Sequence, residues 1–304
     1  MNAGPAPAPP PSRPAAVAGT FYPGRAADLA AVVDDLLAEA ATTHPTPFGL
    51  EAARLAGILV PHAGLVYSGL VAAAAWRFLG APGAAVTAPT VVLLGTNHGA
   101  SWLDGIGTWN GGAWRTPFGE VAVDRELTDA VLGLGPPFAA DDRCHIGEHS
   151  IEVQLPFVAR LTPGARIVAL SVGTGTGSRA IEAGGRLGRL LAERRSGGGA
   201  VPLAISSDMA HYPAAAVAER VTAVLLPPIV GLDPAGLARA EANVSGHEAG
   251  VDCGMCGIRP AVLGLAALRA MGAQPGVPLA AATSADAGGD PRRTVGYLAV
   301  AFPA

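Results

Sequence analysis

Residues 55–79, LAGILVPHAGLVYSGLVAAAAWRFL, decide how this chain folds. They open with a short apolar run, 55–60, that stops at Pro61, and they close with an Ala-rich apolar stretch, 69–79, that reads as a helix. A short buried strand followed by a helix is the βα unit of parallel sheets. The pattern returns at 90–95, at 166–172 before a helix over 178–195, and at 202–206 before a helix over 214–226. Repetition of this unit predicts a mainly parallel central sheet covered by helices on both faces. Between the second and third units, residues 105–124 (GIGTWNGGAWRTPFGEVAVD) alternate and are broken by glycines, which predicts added antiparallel strands. Residues 294–302 are expected to close the sheet, and 24–41 carry apolar residues at helical spacing (Leu29, Val32, Val33, Leu36, Leu37).

The 304 residues are 50% hydrophobic, ample for one large α/β domain, and no fixed-period repeat or long linker divides them. The expectation is a single three-layer α/β/α domain over residues 17–304. Residues 1–16, rich in Pro and Ala, lack both the pattern of a secretion signal and the large apolar residues of a foldable element, so they are expected to form a disordered tail.

All 20 basic residues are arginine. The absence of lysine excludes P-loop nucleotide hydrolysis, the kinase phosphate lysine and Schiff-base catalysis. With 24 acidic residues and only 14% charged residues, the chain has no electrostatic footprint for nucleic acid or an anionic membrane. Cys144, Cys253 and Cys256 are too few and too unevenly spaced for a disulfide framework. No apolar run reaches the ~18 residues of a membrane span, and a cytoplasmic, thiol-reduced protein is expected.

In open parallel sheets, ligands gather where loops leave the carboxyl ends of the strands. Pro61-His62-Ala63-Gly64 follows the first run, Thr96-Asn97-His98 the second, and Ser207-Asp208-Met209-Ala210-His211-Tyr212 the last. A lone histidine after a strand is ordinarily structural, but His62, His98 and His211 at equivalent ends suit a metal site. Two neutral imidazoles need an anionic third ligand to make the facial set of non-haem iron, and Asp208, Glu148 or a thiolate could supply it. Cys256 precedes an apolar helix over 257–271 with Pro260 in its first turn, and a helix N-terminus lowers a thiol pKa; the plainer reading is a small buried hydrophobe.

Two further stretches carry alternatives. In Glu148-His149-Ser150, Ser150 is the natural N-cap of the following helix, whereas Glu148 and His149 could instead orient a ligand from behind. Cys253-Gly254-Met255-Cys256 has the spacing of a redox or zinc pair, yet no second pair accompanies it, and the zinc deaminase pattern fails because Asp252 stands where that pattern has proline. No G-x-S-x-G nucleophile elbow occurs, and the Gly173–Ser178 loop lacks the dinucleotide fingerprint.

Taken together, Ala18-Gly19-Thr20-Phe21-Tyr22-Pro23, Pro61-His62-Ala63-Gly64 with Tyr67-Ser68-Gly69, Gly95-Thr96-Asn97-His98, residues 148–157, residues 206–212 and Cys256-Gly257-Ile258-Arg259-Pro260 resemble the Memo family, whose bacterial and archaeal members are called AmmeMemoRadiSam system protein B. The resemblance runs from about Ala18 to Phe302. It implies an α/β/α fold similar to class III extradiol dioxygenases and one transition-metal ion, iron(II) or, as the alternative, copper. By resemblance, His62, His98 and Cys256 are the metal ligands, Cys256 standing where the dioxygenases have a carboxylate. Asp208 and His211 match the polar pair lining the pocket, His211 as acid/base with Asp208, three residues earlier, expected to hold its ring. Animal members have a second consecutive histidine where this chain has Gly99, and Cys253 is an extra thiol that could compete for metal or pair with Cys256. The implied activity is that of an oxidoreductase on an unidentified small molecule; the other implied reading is a non-catalytic metal-carrying or protein-interaction module. The family name also links its members to an AMMECR-type protein and a radical S-adenosylmethionine enzyme as pathway partners.

Overall fold

A computed structural model describes residues 11–50, 54–79, 90–196, 201–248 and 250–304. The first half of the chain forms β1 (Ser12–Arg13), α1 (Ala26–Thr43), β2 (Leu55–Val60), α2 (Leu65–Trp76), β3 (Thr90–Thr96), β4 (Ile106–Thr108), β5 (Ala113–Thr116), β6 (Gly119–Val123), α3 (Arg125–Leu132) and β7 (Phe138–Ala140). The second half forms α4 (Leu155–Leu161), β8 (Arg166–Val172), α5 (Ser178–Ser196), β9 (Leu203–Ser206), α6 (Ala215–Val230), α7 (Pro234–His247), α8 (Ile258–Ala270), β10 (Val277–Thr283) and β11 (Gly296–Pro303). One sheet runs β1-β5-β6-β8-β3-β9-β2-β11-β10, with β4 and β7 attached beside β8.

The central strands β6, β8, β3, β9 and β2 are parallel, as the repeated βα pattern requires. The region 105–124 supplies the expected hairpin: β5 pairs antiparallel with β6, and β4 pairs antiparallel with β8. β11 closes the sheet antiparallel to β2, and β10, which the sequence did not reveal, lies outside it. Alternation along the buried strands feeds two cores. Leu59, Val92, Leu94, Val168, Leu170, Leu203 and Ile205 pack with α5, α6, α7 and α8 on one face. Ile58, Val60, Val91, Leu93, Ile167, Ala169 and Ala204 pack with α1, α2 and α4 on the other. Three layers follow directly from strands that are largely apolar and buried on both faces.

Two expectations need correction. Residues 1–10 lie outside the described residues, but 11–16 belong to the fold: β1 pairs with β5, and Arg13 is completely buried. The helix expected from Gly69 starts earlier, at Leu65, because nothing in Leu65-Val66-Tyr67-Ser68 interrupts it after the turn at Pro61. Among the described residues no helix is long and apolar enough to cross a membrane.

Arg13 explains why the N-terminal segment is held. Its guanidinium lies 2.5 Å from Glu152, both side chains fully buried, and stacks 4.1 Å above the Trp114 ring. It also donates to the carbonyls of His145 and Glu148. Glu152 in turn accepts from the amides of Ala16 and Val17 and, at 2.6 Å, from the Tyr22 hydroxyl. Each guanidinium nitrogen of Arg13 donates and both carboxylate oxygens of Glu152 accept, the condition under which a buried ion pair is tolerated.

Glu152→Ala should therefore lower unfolding stability by about 3–5 kcal/mol, because it strands a buried guanidinium. Arg143→Ala, which removes an ion pair with Asp141 whose arginine is 77% exposed, should leave stability close to that of the wild type. Urea denaturation of the two variants beside the wild type checks both.

Candidate metal centre

Strand order determines which loops meet. β9 lies between β2 and β3, parallel to both, with Val60 opposite Ser206 and Leu94 opposite Ile205. His62, Asp208 and His98 each come two residues beyond the end of β2, β9 and β3, so all three emerge at the same edge. The chain passes from β2 to β3 through α2 on one face and from β8 to β9 through α5 on the other, the arrangement that opens a crevice at the carboxyl ends of such strands.

Two glycines let the remaining groups approach. A side chain at Gly95 would meet Ser150 Oγ at 2.6 Å and Ile151 at 2.5 Å, so its absence brings the 145–152 segment against β3. One at Gly257 would meet Ser207 Cβ at 2.5 Å, so its absence seats the start of α8, and Cys256 before it, against the end of β9. The hydroxyl of Ser207 accepts the Gly257 amide at 2.9 Å and fixes that contact.

Within this crevice Cys256 Sγ lies 3.2 Å from His62 Nε2. The other nitrogen of that ring, Nδ1, is 3.0 Å from Ser206 Oγ. The rings of His62 and His98 stand edge to face with centroids 5.3 Å apart. His98 Nδ1 donates to Glu148 Oε1 at 2.9 Å, and its amide donates to Oε2 at 2.8 Å. The same carboxylate accepts the amides of His149 and Ser150, each at 2.9 Å. Two groups of potential ligand atoms, His62, His98, His149 and His62, Asp208, Cys256, each lie within 4.8 Å of one another. They share His62, and the cluster fits a single metal ion.

Several residues stand otherwise than their sequence suggested. The ring of His149 stacks on His98 with centroids 4.6 Å apart and contacts Phe21 at 4.9 Å, so it is among the imidazoles and not behind them. Ser150 does not cap a helix: its hydroxyl donates to the Thr96 carbonyl at 3.1 Å and ties the loop to β3. Asp208 does not hold the His211 ring. Its Oδ1 accepts the amides of His62 at 2.7 Å and Ala63 at 3.2 Å, clamping the loop that carries the first histidine. His211 is held through its backbone, with its amide on the Cys253 carbonyl at 3.1 Å, and its Nε2 is buried without a partner. Cys253 and Cys256 are both free thiols.

Sequence reasoning also missed Gln154 and the role of Ser206. Gln154 Nε2 donates to the Pro61 carbonyl at 2.8 Å and to Ser206 Oγ at 3.0 Å, behind the His62 ring. The available signal was a polar residue among apolar neighbours for Gln154 and a polar residue ending an apolar run for Ser206. Large side chains that reach solvent adjoin the site residues along the chain: Tyr67 after the His62 loop, Trp102 after His98, Ile146 before Glu148, and Tyr212 beside His211.

Burial dominates the electrostatics. It pushes His62 down to about 3, with the nearby His98 adding to the shift, and His149 down to about 4, with His62 adding to it. Both rings are therefore neutral at ordinary pH. Burial alone would raise Glu148, but the His98 ring and the loop amides hold it well below the usual carboxylate range. Asp208 is raised by burial. Cys256 corrects an expectation: burial, reinforced by Asp208, raises its thiol and outweighs the helix N-terminus, so the free protein carries the thiol and not the thiolate.

A family model for "Memo-like protein" matches residues 13–301, beginning at the buried Arg13. A MEMO1 family protein of Aquifex aeolicus is 33% identical over 94% of this chain and 97% of its own length. Another, from Ignicoccus hospitalis, is 34% identical over 96% and 98%. Among solved structures, an uncharacterized protein from Escherichia coli K12 has a TM-score of 0.53 at 17% identity, covering 82% of this chain and 99% of that one, a likeness of fold alone.

The buried imidazoles make stability depend on pH. His145, outside the cluster, is pushed from 6.5 down to about 4 by burial, as is His149. Between those values the unfolded chain binds protons that the folded one does not, so stability rises with pH across the window and is lost as pH falls. The denaturation midpoint of the metal-free protein should drop from pH 6.5 to pH 4, and His145→Gln should flatten that slope; an unchanged slope would show that His145 is not the source.

Proposed function

This chain belongs to the Memo-like family, and from that premise we propose that it binds one transition-metal ion through His62, His98 and Cys256 and acts as an oxidoreductase on a small molecule. The observation that carries the reading is the 3.2 Å approach of Cys256 Sγ to His62 Nε2 beside a second imidazole, joining groups that lie far apart in the chain. A thiol, imidazoles and a buried carboxylate form a mixed donor set suited to iron(II) and, through the soft sulfur, to copper. Bound there, such an ion supplies Lewis-acid and one-electron chemistry toward oxygen and an oxidisable substrate.

The surrounding residues would do the rest. Cys256 gives up its raised proton on loading, so affinity should increase with pH. Glu148 fixes the His98 ring from behind, and His149 stacks beside it at the mouth. His211, whose Nε2 has no hydrogen-bond partner among the described residues, is free to hold or pass a proton at that atom. Tyr67, Trp102 and Tyr212, exposed near the site residues in the chain, favour an aromatic or similarly flat apolar substrate.

Anaerobic loading with iron(II), followed by elemental analysis, should give about one ion per chain in the wild type and substantially less in His62→Ala, His98→Ala and Cys256→Ser. Wild-type metal content in all three would refute the ligand set. His211→Phe should keep its metal and lose most oxygen uptake on a panel of aromatic substrates, a loss of roughly 10²–10⁴ in rate. Metal without uptake in the wild type across that panel would favour a metal-carrying module instead.

A further inference from the structure

The side chains behind His62 leave its ring only one distribution of protons. The Trp76 indole can only donate, and its Nε1 lies 2.8 Å from the Gln154 side chain. That contact fixes the facing atom as the amide oxygen and turns the amide nitrogen the other way. The nitrogen then donates to the Pro61 carbonyl at 2.8 Å, which could not tolerate the opposite orientation, and to Ser206 Oγ at 3.0 Å. Ser206 has one hydroxyl proton, and its Oγ lies 2.6 Å from the Ser150 carbonyl, a group that only accepts. The proton is committed there.

Ser206 Oγ therefore meets His62 Nδ1, 3.0 Å away, with a lone pair. Nδ1 must carry the ring hydrogen, and the lone pair falls on Nε2, the atom facing Cys256 Sγ at 3.2 Å. We infer that Trp76, Gln154 and Ser206 are positioning residues that set the tautomer of His62 and keep Nε2 as its open coordinating nitrogen. None of them touches the crevice as a ligand. Behind His98 stands a carboxylate instead, with Nδ1 donating to Glu148 Oε1. One imidazole is thus backed by a charge and the other by a neutral relay running from the core layer of α2 through residue 154 to the end of β9. A tautomer set from behind is a recurrent feature of metal-bound histidine; here the setting is complete in the protein alone. The inference takes from the proposed function only that His62 Nε2 is the atom offered to metal.

The test is a long-range proton–nitrogen spectrum of the metal-free full chain labelled with ¹⁵N at histidine, with His62→Gln identifying the signal. The expected result at neutral pH is a protonated Nδ1 and a bare Nε2 for His62. Ser206→Ala should populate the Nε2–H form and weaken zinc(II) binding, read by competition with a chelator, by about 10–100-fold, and Ser206→Thr should restore both. A protonated Nε2 in the wild type would overturn the inference, and so would a Ser206→Ala protein with unchanged tautomer and zinc affinity. The wild-type spectrum decides the matter even if that variant does not fold. A wild type with the expected tautomer that binds no zinc or iron would uphold this inference and refute the metal reading of the site.

Discussion

The parallel pairing of β9 between β2 and β3 is the constraint on which the rest depends. It buries three consecutive strands on both faces, which is why their sequences are apolar without alternation. The same register puts Ser206 beside Val60, so the residues that follow each strand emerge side by side. A slip of one residue would turn every strand side chain to the opposite core and would carry Asp208 away from the amides of the His62 loop. Core packing and site geometry thus rest on one set of hydrogen bonds.

Around that frame, charge is distributed unevenly. Burial keeps the His62 and His149 rings neutral and the Cys256 thiol protonated, whereas Glu148 stays ionised because loop amides and the His98 ring surround it. A second ionic lock lies one layer further out, where Arg13 and Glu152 join the N-terminal segment to the loop that carries Glu148 and His149. The site is therefore braced from β9 on one side and from the segment around Arg13 on the other. No single helix end or loop holds it.

Much of this was legible in the sequence because it follows from local pattern. Short apolar runs that end at Pro61, Asn97 and Ser207 gave the strands, and the histidines after them gave the edge at which to look. What escaped was long-range. Arg13 lies in a Pro-rich stretch whose composition suggests disorder, and only its burial against Trp114 and Glu152 makes it structural. Ser150 has the composition of a cap but spends its hydroxyl on a strand far away in sequence. Gln154 and Ser206 each look like an accident beside apolar residues until their partners are known. The Cys256 pKa went the wrong way because proximity to a helix end is visible in sequence and burial is not.

The most direct test of the metal reading is the coordination shell itself. X-ray absorption of the full chain loaded anaerobically with zinc(II), a redox-inert stand-in, should show one sulfur at about 2.3 Å together with imidazole nitrogens at about 2.0–2.1 Å. That shell, kept in Cys253→Ser and stripped of its sulfur in Cys256→Ser, places the Cys256 thiolate and the strand-end histidines on one ion. A shell of nitrogen and oxygen alone, with no sulfur, would contradict it and move the ion away from Cys256.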